Sequence, residues 1–401
     1  MHRTFEIDIE KLVYGGSGLG RCRGKVVFVP FAAPGDRLLV EPVREKKDYV
    51  QARICRVLAP GQGRTDPPCP HFGSCGGCHW QHLQYPLQVA AKGDILREIL
   101  RHRFPLTRDL PVTVAACPEP FAYRSRARLQ LGRSGSGAFP GFFRQGSRDV
   151  EAIDSCLLLR PPLDRALAAL CRDTGSLRPA AYAGGIDIAG SDREGVWALG
   201  PAGEGKQETL LEKRAGGFRF KVTASTFFQA NDFMVGPLLE LVRDMAADSG
   251  RGKALDLFAG VGLFSLPLAG LFGSVIAVER SPTASRLCSG NAASAGIDRI
   301  RTVCADAAAW LESGSRPEAA GADLVVLDPP RTGAGARVIH GIRSLGPGTI
   351  LYVSCDPQTL TRDLSLIPAT EYAIDRVEGL DMFPQTFHFE TVVRLRRLRG
   401  A

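Results

Sequence analysis

Long apolar runs are missing. No stretch of the 401 residues reaches the ~18 residues of a membrane span. The first residues, MHRTFEIDIE, contain no apolar h-region, so no secretory leader is expected. Aromatics are only 7% of the chain, yet hydrophobic residues reach 44% and charged ones 23%. That is globular composition, and it excludes disorder and low complexity. The 11 cysteines are too few and too unevenly spaced for a secreted disulfide framework. No internal repeat is visible. A soluble, cytoplasmic, reducing setting is expected, with no membrane partner.

The charge is +8, from 50 Lys+Arg and 42 Asp+Glu, and it is unevenly placed. Residues 1–148 carry 23 basic and 12 acidic side chains, residues 149–248 carry 11 and 15, and residues 249–401 carry 16 and 15. Forty-one basic residues are Arg. A GC-rich genome would give that bias, but it would not give the asymmetry. A basic front end is expected to meet a polyanion, with counterion release driving affinity.

Residues 1–58 read as short strands (FEIDI, KVVFV, RLLVEPV, YVQARICRVL) with turns at 14–20 (YGGSGLG) and 33–36 (APGD). Five-stranded barrels of this size commonly bind nucleic acid. A Pro/Gly linker (60–68) and a cysteine-bearing loop (69–82) follow. Residues 86–103 have helical periodicity, with Leu87, Ile95, Leu96, Ile99 and Leu100 on one face. Residues 110–225 read mainly as β, through PVTVAA, YRSRARLQL, AFPGFF, GIDIAG, GVWALG and GFRFKV, with a helix at 163–171. After a helix at 232–247, strands (KALDLF, SVIAVE, RIRTVCA, ADLVVLD, GTILYVS, VVRLRRL) alternate with helices. This predicts an α/β fold with a doubly wound, mostly parallel sheet. The expected domains are 1–58, 59–225 and 226–401.

The first strand of the α/β region ends in DLFAGVG (256–262). It is not GxGxxG, but a Gly-rich turn lets a ligand approach the backbone and the next helix. The second strand ends in Glu279, where a carboxylate can bind a ribose diol. The third ends near Asp306, placed to accept from an adenine amine. Together they point to a nucleoside cofactor, and their spacing fits S-adenosylmethionine as well as NAD.

The fourth strand ends in Asp328-Pro329-Pro330, at the sheet edge where ligands sit. A DPP loop is similar to the (D/N)PP(Y/F/W) loop of amino-methylating enzymes, but Arg331 stands where their base-stacking aromatic would be. The fifth strand runs into Cys355, before a helix that Asp356-Pro357 would start. A helix N-terminus favours the thiolate, the nucleophilic form. Near the end, FPQTFHFE sets His388 and Glu390 among aromatics. Desolvation beside Phe387 and Phe389 would raise the Glu390 pKa and suit it to a general base.

Cys69, Cys75 and Cys78 form C-x5-C-x2-C. A fourth thiolate would complete tetrahedral zinc or a cubane iron–sulfur cluster. Cys156, after a polar IDS turn, is preferred to Cys117. His71, His79 and His82 keep zinc open. The C-x3-C-x2-C of radical enzymes does not match.

PC-x5-CGGC, FFQAN (227–231), DLFAGVG, AVE, DPPRTG, SCDP and T-x-H-x-E follow one another along the chain. In that order they resemble the RNA uracil-5-methyltransferase family, in the iron–sulfur, TRAM-containing type that methylates 23S rRNA. The resemblance covers nearly the whole length. It implies an N-terminal TRAM (OB-like) RNA-binding barrel, a mainly β central iron–sulfur domain and a C-terminal Rossmann-like class I methyltransferase domain. Helix 86–103 would pack on the catalytic domain.

By the same resemblance, Cys69, Cys75, Cys78 and Cys156 would hold a 4Fe-4S cluster. Gln229, Phe258, Leu263, Glu279, Asp306 and Asp328 would bind S-adenosylmethionine. Cys355 would add to carbon 6 of uracil, and Glu390 would remove the carbon-5 proton after methyl transfer. Asp328 would hold the uracil edge or lie against the cofactor. The flipped base would be received by aromatics such as Phe383 and Phe387. Two residues depart from the family. Asp356 stands where Asn is frequent. Leu263 replaces a residue that is sometimes polar, which leaves a backbone or packing contact.

The expected function is carbon-5 methylation of a uridine in RNA by a monomer, with 23S rRNA ahead of tRNA. An RNA cytosine-5 methyltransferase and a non-catalytic RNA-binding iron–sulfur protein are the alternatives.

Overall fold

The computed structural model describes residues 4–107, 109–134, 137–172, 185–190, 195–199, 209–313 and 316–398. The expected strand GVWALG runs out of the described residues at Gly200.

Alternating side chains build the N-terminal module. Strands β1 (Phe5–Leu12), β2 (Gly18–Cys22), β3 (Lys25–Val29), β4 (Arg37–Glu45) and β5 (Tyr49–Ala59) close into a barrel in the order β1-β2-β3-β5-β4. Inward-facing Ile7, Ile9, Val27, Val29, Leu38 and Val40 fill it. Gly20 takes no larger residue, because a Cβ there would collide with the Asp8 carbonyl.

The linker beyond the barrel is tied down. Buried Asp36 accepts from the Ala33 and Gly61 amides (2.6 and 2.8 Å) and from the Arg64 guanidinium (2.6 Å). Burial alone would raise the Asp36 pKa. Arg64 and the two amides outweigh burial and hold it below the ordinary carboxylate range.

Helix α1 (Tyr85–Arg103) places Pro86 in its first turn and Arg101, His102 and Arg103 in its last, as the helix dipole favours. Ile95, Leu96 and Leu100 share a core with Leu255, Val325 and Tyr352 of the C-terminal sheet and with Phe389, just before its strand that begins at Glu390.

After β6 (Val112–Ala115), the chain forms β7 (Arg126–Ser134), β8 (Gly137–Phe143), β9 (Val150–Ala152), α2 (Pro161–Arg172), β10 (Ile186–Gly190) and β11 (Gly195–Leu199). The last five strands make a sheet ordered β11-β10-β7-β8-β9. Leu163, Leu167 and Leu170 of α2 pack in its core. β12 (Leu211–Ala215) and β13 (Phe218–Val222) form a hairpin. The excursion is closed at a neck, where Ser125 N donates to Ala230 O (2.8 Å) and Arg124 bridges Asn231.

The Asn231 side chain caps α3 (Asp232–Ala246). The remaining elements are β14 (Lys253–Leu257), α4 (Ser265–Leu268), β15 (Ser274–Glu279), α5 (Pro282–Ser294), β16 (Ile300–Cys304), α6 (Ala307–Glu312), α7 (Arg316–Ala319), β17 (Leu324–Leu327), α8 (Ala336–Leu345), β18 (Thr349–Ser354), α9 (Pro357–Leu364), β19 (Tyr372–Leu380) and β20 (Glu390–Arg397). They build an eight-stranded sheet, β16-β15-β14-β17-β18-β20-β19-β6. Strands β14 to β18 pair in parallel, and β20 runs antiparallel between β18 and β19. Burial on both faces explains the unbroken apolar runs of β17 and β18.

The α/β class and the barrel agree with the sequence. Two elements do not follow from it. β6, read with the central β region, lies parallel to β19 at the edge of the C-terminal sheet. β19 itself is not read as a strand, because Asp375, Arg376 and Glu378 and a bulge between Ile374 and Arg376 spoil its alternation. Among the described residues no helix is long and apolar enough to cross a membrane.

Candidate active site

The carboxyl edge of the parallel strands gathers the predicted cofactor residues. After β14 the chain turns through Phe258–Gly262, with φ of 64° at Phe258, 56° at Gly260 and 92° at Gly262. A phenylalanine in the left-handed region is strained and must be held by its surroundings. Glu279 holds this turn, accepting from Gly260 N (2.9 Å) and, on its other oxygen, from Ser281 N (2.7 Å). Each oxygen keeps a further lone pair for a diol. A Cβ at Gly262 would lie 2.8 Å from Leu266 and 2.9 Å from Cys288 Sγ. Asp306 caps α6, accepting from Ala309 N (3.0 Å). Leu263 buries its side chain in the core. Gln229 Nε2 donates to Asp328 Oδ2 (3.2 Å).

Asp256 has no assigned task in the sequence. It is wholly buried, accepts from Ser265 Oγ and keeps Oδ1 unpartnered. Burial pushes its pKa up to about 7.

Adjacent β17 and β18 end at Asp328 and Cys355. The last pair of the β18–β20 ladder is Ser354 with Thr391, so Cys355 and Glu390 are the positions next in register beyond it. Glu390 is 1% exposed and its Oε1 has no partner. Burial first, then the Asp328 charge, holds its carboxyl well above the usual range, with Arg331 opposing. Burial also lifts Asp328, to about 7.

The expected helix-stabilised thiolate is corrected. Burial, then Glu390 and Asp328, push the Cys355 thiol up to about 12. The α9 N-terminus is already answered by the Asp356 carboxylate, which accepts from Gln358 N (2.9 Å) and Thr359 N (3.0 Å). Two acids in a desolvated pocket outweigh a helix end. Arg331 is the cation that opposes them at both Cys355 and Glu390.

The loop before β20 is clamped from several sides. Lys92 Nζ donates to Asp381 Oδ1 (2.6 Å) and to Phe383 O (3.1 Å). Gln385 N donates to Gln88 Oε1 (2.9 Å), and Gln385 O accepts from the His79 and Trp80 amides (2.9 and 3.0 Å). Tyr123 OH donates to Pro384 O (3.0 Å). Phe383 is half-buried. Phe387 is already packed by Tyr14 (5.3 Å), His79 (4.7 Å) and His388 (4.0 Å), so it offers a flipped base little open ring. Burial pushes His388 down to about 3, so it stays neutral. The most exposed phenylalanine among the described residues is Phe227, 63% exposed, with the Arg126 guanidinium 5.4 Å from its ring. The motif FFQAN carried that residue without marking which ring is outward.

Cys69, Cys75, Cys78 and Cys156 line one cavity of about 70 Å³, with Phe72, Phe142 and Leu158 among its walls. Cys117 lies elsewhere, accepting from Asn231 Nδ2 (3.3 Å). His71 reaches the cavity but turns to Glu151 (3.3 Å). His82 packs against Phe31 and Phe72. Among the described residues no three His, Cys, Asp or Glu side chains are arranged to share a single metal ion.

The tRNA (uracil-5-)-methyltransferase family model matches residues 207–398, and the TRAM domain model matches residues 2–54. A 23S rRNA (uracil(1939)-C(5))-methyltransferase of Chromohalobacter salexigens is 33% identical, over 98% of this chain and 89% of that one. Its namesake in Marinomonas sp. is 32% identical, over 98% and 95%. An uncharacterized RNA methyltransferase of Thermosynechococcus vestitus is 31% identical over 98% of each. The crystal structure of Pyrococcus abyssi tRNA (uracil-54, C5)-methyltransferase with S-adenosyl-L-homocysteine has the same fold, with a TM-score of 0.73 at 22% identity over 97% of this chain and 100% of that one. Identity above 30% along nearly the whole length, on a fold with a barrel in front and a nucleoside turn behind, places this chain in the S-adenosylmethionine-dependent RNA uracil-5-methyltransferase family with a TRAM domain.

Proposed function

We propose that this enzyme methylates carbon 5 of one uridine in 23S rRNA through a covalent adduct on Cys355, with Glu390 as the base that ends the reaction. The observation that carries the reading is a thiol and a buried carboxyl, one of its oxygens without a partner, next in register beyond the last pair of the β18–β20 ladder, with Asp328 and Arg331 beside them.

The target base leaves its stack, and exposed Phe227 is the ring it can rest on. Cys355 passes its proton to the neighbouring Asp328 carboxylate, which leaves Glu390 ionised for the later step. Its sulfur bonds to carbon 6, and the carbon 5–carbon 6 electron pair moves into an enolate. S-adenosylmethionine, when bound, supplies the methyl group that carbon 5 accepts. Gln229, Phe258, Leu263, Glu279, Asp306 and Asp328 would hold it. The fit rests on the glycine turn that Glu279 anchors and on free lone pairs at that carboxylate. Glu390 takes the carbon-5 proton, the double bond re-forms and the sulfur–carbon bond breaks. Arg331 favours the ionised forms of both reacting groups.

The ribosomal target is supported by relatives named for 23S rRNA. We read the four cysteines as ligands of a 4Fe-4S cluster. All four line one cavity, and four thiols are the donor set that such a cluster takes. The enzyme is taken to act as a monomer in the cytoplasm. Mapping 5-methyluridine in the RNA of a deletion strain tests the assignment. One 23S site should lose its methyl group, and loss from tRNA alone would move the target there.

A further inference from the structure

The barrel reaches the nucleophile. On the loop between β1 and β2, Tyr14 OH donates to Asp356 Oδ2 (2.9 Å), while Asp356 Oδ1 accepts from the α9 amides. One carboxylate oxygen serves the helix and the other serves the barrel. Ser354 Oγ donates to Asp356 O (3.0 Å), so the residues on both sides of Cys355 are fixed. The loop is pinned in turn. Trp80 Nε1 donates to Gly16 O (3.0 Å), the Tyr14 ring stands edge-on to Phe387, and a Cβ on Gly16 would lie 2.9 Å from Phe387.

We propose that Tyr14 is a positioning residue for Cys355, acting through Asp356, so that the barrel completes the catalytic centre as well as gripping RNA. This rests on Cys355 being the nucleophile. It also accounts for Asp356 where the family often has Asn. A carboxylate offers acceptors on both oxygens and asks for a donor on each, and Tyr14 supplies the second. The half-buried Asp356 charge already adds to Glu390 and Asp328 against the thiolate, with Arg331 opposing, and without the Tyr14 donor that charge would weigh more. Burial, then Asp356, raises the Tyr14 hydroxyl far above neutrality, so it stays a donor at working pH.

The test uses full-length, anaerobically purified Y14F, D356N and Y14F/D356N. Three quantities are read: single-turnover methylation, RNA affinity, and the pH profile of Cys355 alkylation by iodoacetamide, followed on its own peptide by mass spectrometry. Y14F should slow methylation about tenfold, as expected for one lost hydrogen bond to a charged group. It should leave RNA affinity unchanged and move the alkylation profile to higher pH. D356N added to Y14F should move the profile back. A wild-type profile in Y14F, a fall in RNA affinity alone, or no recovery in the double variant overturns the proposal. If Y14F melts early, the profile is taken below its transition and still decides. An active C355A would remove the nucleophile itself. An inactive C355A beside an unaltered Y14F would remove only the role of Tyr14.

Discussion

Lys92 and Asp381 meet at 2.6 Å with both side chains wholly buried. The lysine comes from α1, and the aspartate opens the loop that ends at Glu390. Burial pushes the Lys92 ammonium down, and Asp381 opposes that shift. The pair therefore fixes the catalytic loop to a helix residue 289 positions earlier in the chain.

Lys92→Ala strands a buried carboxylate, which costs about 3–5 kcal/mol. Denaturant unfolding should show that loss, and methyl transfer should fall with it. Lys92→Met with Asp381→Asn should recover much of the stability. A K92A protein as stable as wild type would remove the pair from the account of the loop.

Glu390→Gln should trap a methylated covalent complex, because the carbon-5 proton then has no acceptor. The complex would run as a slow band on a denaturing gel with labelled RNA and would carry the methyl label. Cys355→Ala should give neither band nor product. Free product from E390Q at the wild-type rate would contradict the assignment of the base.

The pH dependence follows from the burial of the reacting groups. Cys355 is pushed up to about 12 and Glu390 well above its usual range, and each reacts as its deprotonated form. The protonated fractions fall as pH rises, so the single-turnover rate should climb with pH well above neutrality. A rate that levels off near pH 9 or below, as an unshifted thiol and an unshifted carboxyl would allow, is incompatible with this site. Arg331→Ala should move the climb to higher pH, because the cation that favours both ionised forms is gone.

The cysteine cavity predicts different fates for two cysteines. Anaerobically purified protein should be brown, and Cys156→Ser should lose iron and colour. Cys117→Ser should keep both, because Cys117 faces Asn231 and not the cavity. Colourless, zinc-loaded wild-type protein would replace the cluster with zinc.

Much of this was legible in residue order. The barrel strands alternate, and DLFAGVG, Glu279, Asp306, Asp328 and Cys355 each stand at or just beyond the end of a strand that is plain to read. What could not be read depended on partners far away. β6 pairs with a strand more than 260 residues later, Val112 against Val377, and four residues carry no mark of that destination. Nothing local to Lys92 announces a buried aspartate. The helix end beside Cys355 is visible in the sequence, but the two acids and the burial that oppose it come only with tertiary structure.

The neck at Ser125 and Ala230 has a consequence for how the protein can change over generations. The stretch beyond it leaves and re-enters the fold at neighbouring points, so the catalytic sheet does not register how long that detour is. Loop-closure cost grows only with the logarithm of length, about 0.6 kcal/mol for each doubling. Insertions and deletions should therefore accumulate in this module while the two ends of the neck stay fixed. Two places in it should resist such change: Cys156, at the cavity of the other three cysteines, and the β12–β13 hairpin, whose Phe220 and Val222 share a core with the catalytic sheet.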